Sequence, residues 1–245
     1  MGGGAAVKFI SVFAGIGGFD LGLERAGMTC VAQVEIDEFC QRVLTKHWPE
    51  VPKYGDIREV GKHNLPSADL ICGGFPCQPH SFAGKRRGAE DDRHLWPEYL
   101  RIIDELRPDW AVPENVPGIR TTILDDVLFD LESIGYTTVT LDIPACAMDA
   151  PHVRHRIFVV AYASSNGRKT RGKLFNGEAL QLSVGNSQKT VQRRWSIEPG
   201  IKRVAHGVPN RVDRLKSLGN AVVPQVAEFI GRAIMESNAA TVNNR

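Results

Sequence analysis

No stretch of the sequence approaches the roughly 18 consecutive apolar residues that a membrane-spanning helix needs, because Asp20, Glu24 and Arg25 interrupt its most apolar region. The chain is therefore expected not to enter a membrane. Cysteine is scarce: the five residues at 30, 40, 72, 77 and 146 are odd in number and lack paired metal-ligand spacing. That argues against a disulfide framework or a metal site and for a reduced, cytoplasmic chain. A secretory leader is not expected either, since the opening MGGGAAVKFISVFAGIGGF has Lys8 as its only early base and no clear small-residue cleavage site. Ala6 stands where N-myristoylation wants Ser or Thr. The net charge is only +2, and 24 glycines and 14 prolines fall short of low-complexity levels. With 42% hydrophobic and 24% charged residues among 245, disordered and fibrous classes are excluded, and the length suits one large domain carrying at most a modest lobe.

The small net charge hides an asymmetry. Residues 164–216 hold 12 Lys or Arg against 3 Asp or Glu, whereas the rest of the chain holds 18 against 25. From Ser164 to about Gly207 the sequence turns to Ser, Asn, Gly, Gln and Arg with sparse hydrophobic residues, the texture of an insertion or small lobe. A basic segment on an acidic body suits phosphate binding, although a solvated surface loop would have the same composition. After it, Val222, Val226, Phe229, Ile230 and Ile234 fall at helical spacing, so an amphipathic helix must dock back on the body. The terminal SNAATVNNR reads as frayed.

Periodicity predicts strands near residues 8–13, 29–35, 69–72, 109–115, 137–143 and 156–162, with helices at about 18–26, 37–47, 95–106 and 121–134. Strands alternating with helices imply a parallel sheet covered on both faces, with ligands at the carboxyl ends of the strands.

Several motifs fall at those ends. FAGIGGF (13–19) runs from the first strand into a helix, and Gly15, Gly17 and Gly18 let a ligand approach the backbone and the helix N-terminus. The dinucleotide pattern would need a further glycine at Asp20, so a nicotinamide cofactor is disfavoured; a turn that binds nothing is the competing reading. Glu35 ends the second strand about twenty residues on, where a carboxylate can accept from ribose hydroxyls, and Asp56 in YGDI could accept from an adenine amino group or merely close a turn. GGFPCQPHS (73–81) holds Cys77 in a loop braced by two glycines and two prolines, unlike Cys30, Cys40 and Cys72 in apolar runs. It is a candidate nucleophile or an incidental loop cysteine. The following FAGKRRGAEDDRHLW suits a loop that meets phosphates and closes over a site. Glu114 in PENVPG could hold or protonate a ring nitrogen, its alternative being a satisfied strand-end carboxylate. Arg154 and Arg156, two apart at the entry to a strand, put two cations on one face, suited to an anion or a base carbonyl.

Taken together and in order, FAGIGGF, GGFPCQPHS, ENV, the arginines of VRHR and GNAVVP (219–224) resemble the DNA (cytosine-5) methyltransferases in their compact bacteriophage or bacterial form. The resemblance covers about residues 8–163 and 214–236 and leaves the basic insert unaligned. It implies an α/β, Rossmann-like S-adenosylmethionine-dependent methyltransferase fold, with a catalytic and cofactor-binding domain at 1–163, a short target-recognition region at 164–213, and a C-terminal helix at 214–245 returning to the catalytic domain. Phe13, Gly15, Gly17, Glu35, Ile36, Asp56, Pro76, Asn220 and Ala221 would bind S-adenosylmethionine. Pro76 would also border a flipped cytosine, together with the catalytic Cys77, Glu114, Arg154 and Arg156. Gln78, Ser81, Lys85, Arg86, Arg87, Arg193 and Arg194 would contact DNA. The implied reaction is attack of the Cys77 thiolate on carbon 6 of the base, held at ring nitrogen 3 by Glu114, and methylation at carbon 5.

The implied partner is double-stranded DNA, met by a monomer in the cytoplasm of a bacterial or phage-infected cell, for restriction-modification or phage self-protection. His80, His152 and Ala221 depart from residues common in the family, and Pro113 removes a backbone donor beside Glu114. Competing readings are a non-catalytic nucleic-acid binder on the same fold, a tRNA cytosine-5 methyltransferase, and the disfavoured nicotinamide oxidoreductase.

Overall fold

A computed structural model describes residues 6–76, 95–163 and 211–242. Cys77, Gln78, Ser81, Lys85, Arg86, Arg87, Arg193 and Arg194 lie outside the described residues, as does most of the basic insert.

Seven strands form one sheet among the described residues: β1 (Lys8–Val12), β2 (Thr29–Val34), β3 (Lys53–Tyr54), β4 (Leu70–Gly74), β5 (Trp110–Asn115), β6 (Tyr136–Pro144) and β7 (His155–Ala163), in the order β3-β2-β1-β4-β5-β7-β6. The pairs from β3 through β5 are parallel, while β7 runs antiparallel to both β5 and β6. The mostly parallel α/β architecture expected from the sequence is therefore present. The antiparallel β7 has a simple cause: residues 145–154 hold only a 3-10 turn (Ala145–Met148), too little chain for a parallel crossover.

The helices are α1 (Gly18–Arg25), α2 (Glu38–His47), α3 (Trp96–Leu106), α4 (Leu124–Ser133), α5 (Arg211–Asn220) and α6 (Pro224–Val242). Successive residues of β1 point to opposite faces: Phe9 packs with Phe19, Leu23 and Ile230, and Ile10 with Ile71, Tyr99 and Ile103. One core thus lies under α1 and α6, the other under α3 and α4. Helix α6 returns to the body as its apolar stripe requires, with Val226, Ile230 and Ile234 buried and Phe229 half-buried, and Val222, just before the helix, is buried with them. Each fully buried large side chain of that stripe contributes roughly 1.5–3 kcal/mol. Among the described residues no helix is long and apolar enough to cross a membrane.

Pro113 sits inside β5, a central strand, where a proline is unusual. It pairs with Gly73 on the parallel side. On the other side the β5–β7 ladder runs at Trp110 and Ala111, lapses at Val112 and Pro113, and resumes at Glu114 and Asn115. The missing N–H is accommodated by that gap.

Candidate active site

The chain leaves β1 toward β2 on one side and reaches β4 on the other, so the carboxyl ends of β1 and β4 diverge at a switch point. A cavity of about 450 Å³ opens there, within the range of small-molecule sites.

Its floor is the turn between β1 and α1. Phe13 and Gly15 have positive φ (52° and 57°), and Gly17 follows at 85°. Phe13 lies edge-on to Tyr99 of α3, with ring centroids 6.0 Å apart. The Gly15 N–H donates to Glu35 Oε2 at 2.7 Å, and the Asp37 N–H to Glu35 Oε1 at 2.8 Å. Glu35 therefore ties the glycine turn to the end of β2. Burial raises its carboxyl above the ordinary range, offset in part by these two N–H groups. Each oxygen retains acceptor capacity for a hydroxyl. Next to it, Ile36 is 65% exposed on the cavity wall, and Asp37 caps α2 by accepting from the N–H groups of Phe39 and Cys40. Asp56 begins the far wall. Its carboxylate caps the 3-10 turn Ile57–Glu59 and is paired with the Arg58 guanidinium, whose Nη2 lies 2.6 Å away.

Beneath the turn, Asp20 is fully buried and accepts from Ser11 Oγ at 2.9 Å and Gln33 Nε2 at 2.7 Å. Burial raises its carboxyl, against those hydrogen bonds. The network joins α1 to β1 and β2 and holds the turn level with the strand ends.

Gly74, Pro76 and Glu114 also line the cavity, Gly74 lying beside Glu114 in the neighbouring strand. A side chain on Gly74 would come within 2.5 Å of Glu114 Oε2, so only glycine lets that carboxyl lie against β4. Glu114 Oε1 is 3.0 Å from Arg156 Nε, but the approach is not aligned as a hydrogen bond, and this buried oxygen has no hydrogen-bond partner among the described residues. Burial pushes the Glu114 carboxyl up to about 7, against the pull of Arg156 and Arg154. A glutamate so poised at neutral pH can carry a proton and donate it. Asn115 donates from Nδ2 to the Phe75 carbonyl at 2.9 Å, fastening the backbone that leads into Cys77.

Arg154 precedes β7 and has a positive φ of 26°. Its Nη2 donates at 2.7 Å to the carbonyls of both Gly219 and Ala221. It therefore clasps the junction of α5 and α6, which brings Asn220, Ala221 and Val222 to the cavity. On the same side Lys216 reaches Asp37 at 3.2 Å and Ser217 meets Cys40, so α5 bridges to α2 over the cavity.

Of the residues expected from the sequence, Phe13, Gly15, Glu35, Ile36, Asp56, Pro76, Glu114, Asn220 and Ala221 line one cavity. Gly17 stands behind the turn, Arg156 borders Glu114, and Arg154 reaches the site through backbone carbonyls. Sequence reasoning missed Asn115, Lys216 and Ser217. Asn115 stands in the ENV motif beside Glu114, whereas Lys216 and Ser217 fall in the one helix expected at 214–245, which the structure divides into α5 and α6 with residues 221–223 between them. Among the described residues no cluster of His, Cys, Asp and Glu suits a metal ion.

A mostly parallel seven-stranded sheet with a cavity at its switch point, floored by a glycine turn and walled by a strand-end glutamate, defines a Rossmann-like methyltransferase fold. Over residues 7–203 the sequence matches the family described as C-5 cytosine-specific DNA methylase, and the chain belongs to that family. It is 33% identical over 220 residues to the type II methyltransferase M.DsaV of Dactylococcopsis salina, covering 87% of this chain and 62% of that one. It is 34% identical over 161 residues to M.HhaI of Haemophilus parahaemolyticus, covering 64% of this chain and 49% of that one. In three dimensions it is similar to the S. pombe Dnmt2 methyltransferase, with a TM-score of 0.62, 20% identity, and coverage of 76% of this chain and 59% of that one. The chain thus spans about half to three fifths of the length of these relatives.

Proposed function

We propose that the chain is an S-adenosylmethionine-dependent DNA (cytosine-5) methyltransferase acting on a flipped cytosine in double-stranded DNA. The observation that carries this reading is the single cavity joining Glu35, Ile36 and Asp56 at one end to Pro76 and Glu114 at the other. Its residues suit the cofactor. Glu35 offers acceptors to two ribose hydroxyls, Ile36 an exposed apolar edge to a flat base, and Asp56 a carboxylate to an exocyclic amino group. The N-terminal turn of α1 and the Asn220–Ala221 junction enclose the remainder. When bound, S-adenosylmethionine supplies an electrophilic methyl group to a nucleophilic carbon.

The chain's own groups make that carbon nucleophilic. The Cys77 thiolate adds to carbon 6 of a base turned out of the duplex. Glu114, protonated near neutral pH, donates to ring nitrogen 3 and stabilises the electron density displaced into the ring. Arg156 is ion-paired with Glu114 and so holds that carboxyl in place. Loss of the carbon 5 proton then expels the cysteine. Lys85, Arg86, Arg87, Arg193 and Arg194 position DNA through its phosphates, and Gln78 and Ser81 also contact DNA. The catalytic part spans 1–163, the recognition region 164–213 and the returning helix 214–245. The chain works as a cytoplasmic monomer, in restriction-modification or phage self-protection.

Expression in a host without cytosine methylation, followed by sequencing of its genomic DNA for methylated positions, tests the reading. Methylcytosine at a defined site is the expected result. Unmodified DNA from cells holding soluble chain, or methylation found only in tRNA, would overturn it.

A further inference from the structure

The wall formed by Asp56 and Ile57 belongs to a segment with little regular structure of its own, since β3 ends at Tyr54, β4 starts at Leu70, and only the short turn Ile57–Glu59 lies between. It is held from outside, by α3. Arg101 Nη2 donates to the carbonyls of Ile57 at 3.1 Å and Val60 at 2.9 Å. Its Nε pairs with Glu98 and its Nη1 with Glu105, each at 2.8 Å. The second oxygen of Glu105 accepts the Lys62 N–H at 2.9 Å. One guanidinium thus spans two backbone carbonyls and two carboxylates, an arrangement a planar fork can make and a lysine point charge cannot. None of the motifs at the strand ends includes Arg101 or Glu105, and neither side chain lines the cavity.

We infer that Arg101 and Glu105 are positioning residues that set the adenine-facing edge of the cavity and, through it, the preference for adenine over other bases on the cofactor. The inference rests on the cofactor reading above. Asp56 already accepts the Arg58 N–H at 2.9 Å and pairs with the Arg58 side chain, so its remaining lone pairs have a narrow direction in which to meet an amino group. Fixing the Ile57 and Val60 carbonyls fixes that direction. Hydrogen bonds weaken steeply once donor and acceptor separate beyond about 3.2 Å, so a small drift of the turn removes the contact.

The test compares S-adenosylhomocysteine with S-inosylhomocysteine, in which a carbonyl replaces the exocyclic amino group, by calorimetry on the full chain. Wild type should favour the adenine ligand by about tenfold or more, the scale of one hydrogen bond to a charged group. Arg101→Lys should weaken S-adenosylhomocysteine by about that factor and leave S-inosylhomocysteine nearly unchanged, collapsing the ratio. Val127→Ala, a cavity in the core beneath α4, should lower the melting temperature without moving the ratio. If Arg101→Lys folds poorly, Glu105→Gln, which keeps an acceptor for Lys62, should shift the ratio in the same direction by less. Unchanged affinities in both variants, or equal losses for both ligands, would overturn the inference while leaving the cofactor reading intact. A wild-type chain that took neither ligand would overturn the cofactor reading and this inference with it.

Discussion

The six-membered ring of Trp48 lies in the space that a side chain on Gly17 would need: a Cβ there would come within 2.4 Å of the indole. Gly17 also has a φ of 85°, which L side chains rarely adopt. Trp48 follows α2 and Gly17 precedes α1, so the contact packs the glycine turn against the second helix.

Gly17→Ala therefore meets two penalties, backbone strain and overpacking, together about 2–4 kcal/mol. Thermal melts should show the loss of stability, and calorimetry at least a tenfold weaker affinity for S-adenosylhomocysteine. Adding Trp48→Ala should relieve the clash but not the strain, recovering part of the loss. A Gly17→Ala chain that melted like wild type would show that the turn has another way to relax.

Glu114 carries a pH signature. Its carboxyl is raised from 4.5 to about 7, chiefly by burial. Between those values the folded chain holds a proton that the unfolded chain releases, so stability declines as pH rises through the window and stays reduced above it. Glutamine does not titrate. The stability of Glu114→Gln relative to wild type should therefore improve by about 2–3 kcal/mol from about pH 5 to about pH 8, as read from urea melts. A difference that stayed flat across the range would mean that Glu114 titrates normally.

The strand-end motifs are legible in the sequence because each is a local pattern: glycines at a turn, an acid closing a strand, a proline beside a cysteine. What is not legible is local pattern resolved by tertiary contact. Arg154 and Arg156 stand two apart, and periodicity assigns both to the base. Yet Arg154 precedes β7 with a positive φ, and its guanidinium turns to the Gly219 and Ala221 carbonyls, some 65 residues away in sequence. Trp48 and Arg101 carry no motif, and only the folded chain brings them to Gly17 and Ile57. The antiparallel β7 could have been anticipated from the short connection 145–154.

That division of the two arginines is open to kinetics. Arg154→Ala removes two hydrogen bonds holding the α5–α6 junction that lines the cavity, so on the proposed function it should raise KM for S-adenosylmethionine by about tenfold or more with a smaller change in kcat. Arg156→Ala, which releases Glu114, should lower kcat with a smaller effect on that KM. Identical kinetic profiles for the two variants would return both residues to a single role.

The cysteines separate in the same way. Cys72 is fully buried in the middle of β4, and burial holds its thiol far above the ordinary range, so it cannot supply a thiolate at neutral pH. Cys30 and Cys40 are also buried, and burial raises both thiols. Cys77→Ala should therefore abolish methyl transfer while leaving affinity for S-adenosylhomocysteine within about twofold, because only the covalent step is lost. Cys72→Ala should keep turnover. Duplex DNA carrying 5-fluorocytosine at the recognised site cannot lose a proton from carbon 5, so wild type should remain attached to it through denaturing electrophoresis and Cys77→Ala should not. An active preparation that left no adduct on that DNA, or an adduct that persisted in Cys77→Ala, would remove Cys77 from the role of nucleophile.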